Sequence, residues 1–422
     1  MTRLGESAQP NPGGRGQGGG GGRPSRDAGW RGGGGRTRRD ARWQGALEVL
    51  EQVRREPGVT RAEAARRLRL GSGSATEIVA RLRSLDLLDE VPAPVLGRGR
   101  PTTALLPHPR GPLVAAVELR FEEWRCAVAG LDGRPETVLT RRHDGDGERI
   151  VGQIAAALRT LRSRHGRRLR AVSLAVAGAV RDGRLVQAAT LSWGELDLAG
   201  VLPDPGLPLL IGNDATLAGL AEARGGAGVG AQTVLHLTVE VGLGGVLVVG
   251  GQPVAGSHGA GGEYGHLPFG DRDLHCPCGA RGCWELEVDG RALARHLGLP
   301  PPPDPRAYAR QVLECAAHDQ RAARAARRIS VALARGIAGL VNAHDPDVVT
   351  LGGIAERIRQ AAPEAFEQAY LGGLMAFHRA SPVPLRAAAL GEDGALLGAA
   401  AAGLDLVLSE QGLSAWAADA ES

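Results

Sequence analysis

At 422 residues the chain is too long for one ordinary core and suits two or three packed units of about 150 residues each. It is 43% hydrophobic and 23% charged, a soluble globular composition. No run of about 18 apolar residues occurs and the N-terminus has no signal-type stretch, so neither membrane spanning nor secretion is supported and a cytoplasmic location is expected.

The net charge of +4 conceals a division. Residues 1–100 hold 19 Arg against 11 acidic residues, a surplus of +8, while the remainder holds 31 against 35. The chain is a basic head on a mildly acidic body. Lys is absent, so every permanent cation is Arg, a planar fork that grips phosphate bidentately. Five Cys in so long a chain do not make a disulfide scaffold, and three of them crowd into Cys276–Cys283, a spacing that suggests metal.

Residues 1–38 are mostly Gly, Arg, Pro and polar residues, with too little apolar surface to offset the entropy of ordering; they read as a disordered tail. From Trp43 the pattern turns helical, with Leu47, Val49, Leu50 and Val53 on one face and Pro57-Gly58 as the stop. Thr60 and Glu63 have the spacing of a reciprocal cap for a second helix through Leu68, and Ser74 and Glu77 repeat it for a third helix after the Gly71-Ser-Gly73 turn. Three short helices with a tight glycine turn fit a helix-turn-helix. Two extended runs flank Arg98-Gly99-Arg100, the expected tip of a β-wing. A trihelical unit of this size also serves protein–protein contacts; basic charge on the third helix and the wing favours DNA. The expected DNA-facing residues are Ser72, Gly73, Ser74, Ala75 and Thr76 at the groove, Arg81 and Arg83 at phosphates, and Arg98, Gly99 and Arg100 in the minor groove.

From Leu113 short apolar strands alternate with Ala/Leu-rich helices, the pattern of α/β with mixed sheets. Strands are expected at 114–117, 125–128, 172–177, 209–211, 234–239, 246–249 and 348–351, and helices at 150–161, 215–223, 321–342 and 395–408. About 290 residues suffice for two lobes with a cleft between them. The expected units are 1–38 tail, 39–110 winged helix-turn-helix, 111–232 with 385–422 as the first lobe, and 233–384 as the second.

The strongest chemical signal is Gly262-Glu-Tyr-Gly-His266 followed by Cys276-Pro-Cys278-Gly-Ala-Arg-Gly-Cys283-Trp-Glu285. His266, Cys276, Cys278 and Cys283 make a tetrahedral Cys₃His set, and four protein ligands leave no open position, so a structural zinc is expected. The alternative, three reduced and unligated thiols, sits poorly beside polar Asp273 and His275.

These residues resemble the ROK family of sugar-responsive repressors and sugar kinases. Glu263-x-Gly-His266 is similar to the family's Glu-x-Gly-His motif and the cysteine run to its zinc signature; Asn213-Asp214-Ala215 and Ala177-Gly178-Ala179 fall at its sugar-contacting turns. The resemblance spans about Leu113 to Leu408 and implies two actin-like, ribonuclease-H-like lobes, commonly dimeric or tetrameric. It also implies Gly178, Asn213, Asp214, Glu263, His266 and Glu285 as sugar-binding residues. The chemistry agrees, because carboxylates accept from vicinal hydroxyls while Asn and His donate and accept. Asn213-Asp214 alone would also serve as a helix N-cap.

Asp214 matches the family's catalytic base. The family's phosphate turns are altered: Glu118-Leu-Arg-Phe-Glu122 and Glu240-Val-Gly242 carry carboxylates where those turns carry Gly and Thr. Bare carboxylates there would repel a triphosphate, so the sequence reads as a non-catalytic protein. The expected function is a DNA-binding transcriptional repressor, a homodimer or homotetramer, whose affinity for operator DNA is set by a sugar or sugar phosphate between the lobes. The alternative is a sugar kinase with an appended DNA-binding head.

Overall fold

The computed structural model describes residues 41–93, 103–181, 183–188, 191 and 193–420. The expected tail and the wing tip with Arg98, Gly99 and Arg100 lie outside the described residues.

The head is built from α1 (Ala41–Arg55), α2 (Arg61–Arg67) and α3 (Ser72–Ser84), followed by the antiparallel pair β1 (Leu88–Pro92) and β2 (Thr103–Pro107). Thr60 caps α2 as its spacing implies, accepting the Glu63 amide at 3.2 Å. The reciprocal half is absent, because the Glu63 carboxylate pairs with Arg66 and Arg67 instead. Helix α3 begins two residues before the expected Ser74 cap, with Gly71 as N-cap and no side-chain capping bond. This start turns Ala75, Val79 and Leu82 into the head's core, the i, i+4, i+7 face of a helix. Ala75 is therefore removed from the DNA-facing set, since its side chain is buried.

The head is not a separate bead. Its core residues Trp43, Leu50, Val79, Leu82 and Leu105 belong to one cluster with Val114, Ala171, Leu404, Leu413 and Trp416 from the body. Helices α12 (Gly394–Val407) and α13 (Glu410–Ala420) supply the C-terminal part of that cluster. Trp416 in α13 donates its indole N–H to the Leu85 carbonyl at 2.7 Å, and Trp43 donates to the Ser414 hydroxyl at 2.8 Å. Trp416→Ala should therefore lower stability by ~3 kcal/mol, the scale for deleting a buried Trp, read as the urea midpoint of the full chain. An unchanged midpoint would remove α13 from the shared core.

The body has two five-stranded sheets of the same topology. The first runs β5-β4-β3-β6-β9, from β3 (Leu113–Leu119), β4 (Glu123–Ala129), β5 (Pro135–Arg142), β6 (Leu169–Val176) and β9 (Leu209–Asn213). The second runs β12-β11-β10-β13-β14, from β10 (Thr233–Glu240), β11 (Gly242–Val249), β12 (Gln252–Pro253), β13 (Val348–Gly353) and β14 (Leu385–Ala387). In each, the first three strands in sequence pair antiparallel and the last two add parallel, the repeated arrangement of an actin-like fold. A short hairpin, β7 (Ala179–Arg181) and β8 (Arg184–Gln187), follows β6.

Helix α4 (Gly147–His165) covers the first sheet, and α5 (Asp214–Gly225) packs on α12, β10 and β11. The second sheet is covered by α6 (Gly290–Leu297), α7 (Pro305–Cys315), α8 (Gln320–His344), α9 (Ala355–Ala361) and α10 (Pro363–Gly373), after which comes the short α11 (Ala376–Ala380). Strand β5 escaped the sequence pattern because it is an edge strand with six of eight side chains exposed, so it carries no apolar alternation. Residues 385–387 pair with β13 and so belong to the second sheet, where the sequence placed them in the first lobe. No single described helix is long and apolar enough to cross a membrane.

Candidate functional site

The ends of β6, β9 and β10, the start of β11 and the loops carrying Gly178, Glu263 and Glu285 meet at one cavity of about 300 Å³. It is lined by Gly178, Asn213, Asp214, Glu263, His266 and Glu285 together with Gln187 and Thr238. All six sugar-binding residues that the resemblance implies thus line one cavity from segments spread over more than a hundred residues, as side chains at strand ends do in α/β folds.

The local sequence explains each placement. Asn213 caps α5, its Oδ1 accepting the Thr216 amide at 3.0 Å while its Nδ2 donates to the Gly178 carbonyl at 3.0 Å. The N-cap role and the cavity position are therefore both real, and much of the amide's hydrogen-bonding capacity is already committed. Gly178 is required by packing: a Cβ there would lie 2.6 Å from the Gln187 carbonyl oxygen. The turn carrying Glu263 and His266 lies flat on β11, since a Cβ on Gly265 would lie 2.2 Å from the Leu243 carbonyl oxygen. Gly244 and Gly245 face Ala215 and Tyr264 in the same close manner, so they are packing glycines.

Asp214 accepts the Ala215 amide through Oδ1 at 2.8 Å. Burial in the cleft floor, only partly offset by that amide and reinforced by Glu118, Glu240 and Glu263, pushes its pKa up to about 7. An aspartate poised there exchanges a proton near neutrality. Burial likewise raises the Glu263 pKa, with His266 opposing and Glu285 adding to the shift.

His266, Cys276, Cys278 and Cys283 bring one ligand atom each to within 4.8 Å of one another. Cys276 Sγ is 3.7 Å from His266 Nδ1, and Cys278 Sγ is 3.7 Å from Cys283 Sγ. The edge of a zinc tetrahedron with bonds of about 2.3 Å is about 3.8 Å, so the donor set fits such an ion. Gly279 and Gly282, at φ +96° and +69°, allow the loop to wrap it. Burial, with Glu285 adding to it, holds the Cys276 thiol far above its ordinary range, and burial pushes Cys283 up to about 11. Thiols so placed ionise only against a cation. His266 Nδ1 faces the thiols while Nε2 lies 3.8 Å from Glu263 Oε2 on the cavity side. Glu285 touches both worlds, buried with Oε1 at 3.1 Å from Cys276 Sγ.

A second cavity adjoins the first, lined by Arg120, Glu122, His236, Arg306 and Glu392 among others. Ala177, Asp214, Thr238, Glu240 and Val241 line both cavities. The carboxylates that the sequence reading took as bare are neutralised here. Glu118 is gripped by Arg120 at 2.8 Å and Arg125 at 2.5 Å, and Glu122 and Glu240 both pair with Arg306. Arg306 lies in α7, 184 residues from Glu122, and no sequence signal joined them.

In the head, Ser72, Gly73, Ser74 and Thr76 are exposed at the start of α3. Arg81 stacks over the Trp43 ring, 3.6 Å from its centroid, and Arg83 pairs with Glu90 at 2.8 Å. Both guanidiniums are thus engaged within the head.

Residues 115–405 match the model of the ROK family. The chain is 36% identical over 152 residues to a glucokinase of Streptomyces coelicolor, a match covering 35% of this chain and 47% of that protein; it thus spans about half the length of that relative. It is 32% identical over 265 residues to a kanosamine kinase of Amycolatopsis mediterranei, covering 62% of this chain and 84% of the relative. Among solved structures, a ROK family glucokinase of Streptomyces griseus in complex with glucose and AMPPNP superposes with a TM-score of 0.59 at 26% identity, covering 69% of this chain and 99% of that one. A ROK family transcriptional regulator superposes at 0.69 with 20% identity, covering 89% and 98%, a likeness of fold that includes the head.

The expectation of a non-catalytic protein is overturned by these kinases, which point to kinase activity. Glu118, Glu122 and Glu240 are not free charges: Arg120 and Arg125 pair with Glu118 from nearby in the chain, and the distant Arg306 pairs with Glu122 and Glu240.

Proposed function

This chain belongs to the ROK family, and on that premise we propose that it is a sugar kinase whose lobes are carried behind a DNA-binding winged-helix head. The observation that carries the reading is the place of Asp214, on the wall shared by two neighbouring cavities. Phosphoryl transfer needs a base against the acceptor hydroxyl and a short path to the donor's terminal phosphate. Asp214 serves both, taking the hydroxyl proton on its carboxylate while the donor lies on the Arg306 side. Glu263, Glu285 and the free capacity of Asn213 fix the sugar's other hydroxyls, and the Gly178 segment closes over it.

His266, Cys276, Cys278 and Cys283 would hold a structural zinc, which supplies charge to the thiolates and fixes the His266 ring. With Nδ1 so engaged, Nε2 and Glu263 present a set orientation to the sugar.

The test is release of ADP from ATP across a panel of hexoses and amino sugars. Sugar-dependent turnover is expected, falling by at least about tenfold in Glu263→Ala through loss of one charged hydrogen-bond partner. Absence of turnover with every sugar would sink the reading.

A second role, control of operator DNA by the sugar, is supported by the core that the head shares with the first lobe. Ser72, Gly73, Ser74 and Thr76 would meet the major groove, and Arg98, Gly99 and Arg100 the minor groove, in a homodimer or homotetramer that pairs two heads. In a gel-shift titration, Glu263→Ala should bind DNA as the parent does and ignore the sugar.

A further inference from the structure

Arg306 is 7% exposed and is surrounded by three carboxylates from three separate segments. Nη1 lies 3.2 Å from Glu122 in the β3–β4 turn, Nε 2.5 Å from Glu240 at the end of β10, and Nη2 3.0 Å from Glu392 in the turn before α12. Arg310, one helical turn further along α7, also pairs with Glu392.

Arg306 Nη1 and Arg310 Nη2 make hydrogen bonds with Glu122 and Glu392, but the other contacts are ion pairs without hydrogen-bond alignment. Arg306 Nε and Nη2 and Arg310 Nε are buried donors with no hydrogen-bond partner, although a guanidinium fork normally meets a carboxylate or phosphate through parallel, aligned bonds. The three carboxylates also differ in freedom. The side chains of Glu122 and Glu240 are 17% and 33% exposed, whereas that of Glu392 is 55% exposed and follows Gly391 at φ +57°. Glu392 leaves into water at little desolvation cost.

We propose that Arg306 and Arg310 bind the phosphates of the phosphoryl donor, and that Glu392 is a tethered competitor occupying their inner donors while the cleft is empty. The proposal deepens the kinase reading and rests on it. A phosphate group is a multiply charged acceptor that satisfies the unpartnered donors, and the Glu392 carboxylate must swing out to admit it. A tethered competitor acts at the high effective concentration of an intramolecular partner. It therefore sets an apparent donor affinity weaker than the arginines alone would give. It also selects for oligophosphates over a single free carboxylate, because one carboxylate already bridges Arg306 and Arg310 and only a more highly charged acceptor displaces it.

The experiment is titration of the full-length protein with magnesium pyrophosphate, without sugar, followed by calorimetry. Glu392→Ala should bind at least tenfold tighter than the parent, and Arg310→Ala at least tenfold weaker. Arg306→Lys, which keeps the charge but loses the fork, should also weaken binding; it guards against a variant that merely misfolds. Sugar-dependent melting shifts should stay the same in Glu392→Ala. Unchanged pyrophosphate affinity in Glu392→Ala, or in Arg310→Ala, would overturn the proposal, as would no binding to any of these proteins. If pyrophosphate binds as stated but no sugar elicits ADP, the kinase reading fails and the arginine site stands. If ADP is released and Arg310→Ala alters neither binding nor the KM for ATP, the arginine site fails and the kinase reading stands.

Discussion

Asp214→Asn should reduce sugar-dependent ADP release by about 10²-fold or more, the scale of a lost general base. Asn keeps the Ala215 amide bond through its own Oδ1, so sugar affinity should change only a few-fold. The pH profile separates this role from a structural one. With a pKa of about 7, the base is half-protonated at neutrality, so kcat/KM in the parent should climb through pH 7 and level off above it. An aspartate at its ordinary pKa would give a flat profile from pH 5 to 8.

Linkage gives the same substitution a second signature. The folded protein binds this proton more tightly than the unfolded chain, so the stabilising effect of the neutral group is full below pH about 4 and is lost as pH rises through about 7. Asp214→Asn removes the cost of a buried carboxylate. The variant should therefore melt higher than the parent at pH 8, with the gap closing toward pH 5. A variant that melts lower at pH 8 would mean that the Asp214 charge is stabilised by its surroundings, against its assignment as a poised base.

Removal of metal by a chelator, or Cys283→Ser, should lower the melting temperature on the order of 10 °C and abolish the sugar-dependent shift. The size follows from the several kcal/mol that a closed thiolate site contributes and from the entropy of unfolding of a domain this large. The coupling follows from the geometry. His266 belongs both to the cluster and to the cavity wall, and Glu285 contacts Cys276 from the other side. Metal analysis of the purified protein should give about one zinc per chain. A sugar response that survives in the metal-free protein would uncouple the two sites.

The six cavity residues and the four thiol and imidazole ligands were legible in the sequence because each lies in a short local motif. Gly262-x-x-Gly265 fixes a turn on β11, Cys276-x-Cys278 and Cys283 sit in a loop closed by glycines, and Asn213-Asp214 opens a helix. The Cys₃His set follows from its spacing, whereas the sugar-binding set follows from the resemblance of these motifs to those of the ROK family. The head was legible from short local motifs as well, although the Ser74 cap was not. Burial of Ala75 against the head's core outweighed the local capping signal and started α3 at Ser72.

What the sequence by itself determined is therefore the set of elements, the two-lobed α/β architecture and the identity of the polar groups at the cleft. What only the tertiary structure decided is how charge is balanced there. Glu118, Glu122 and Glu240 read as a barrier to phosphate until Arg306 in α7 and Arg120 and Arg125 in the first lobe came to neutralise them. The fusion of head to body through Trp416 and Trp43 was equally out of reach. The Arg306–Glu122 pair joins residues 184 apart in the chain and the Trp43–Ser414 bond residues 371 apart. Electrostatic energy depends on distance in space, which one-dimensional spacing does not record.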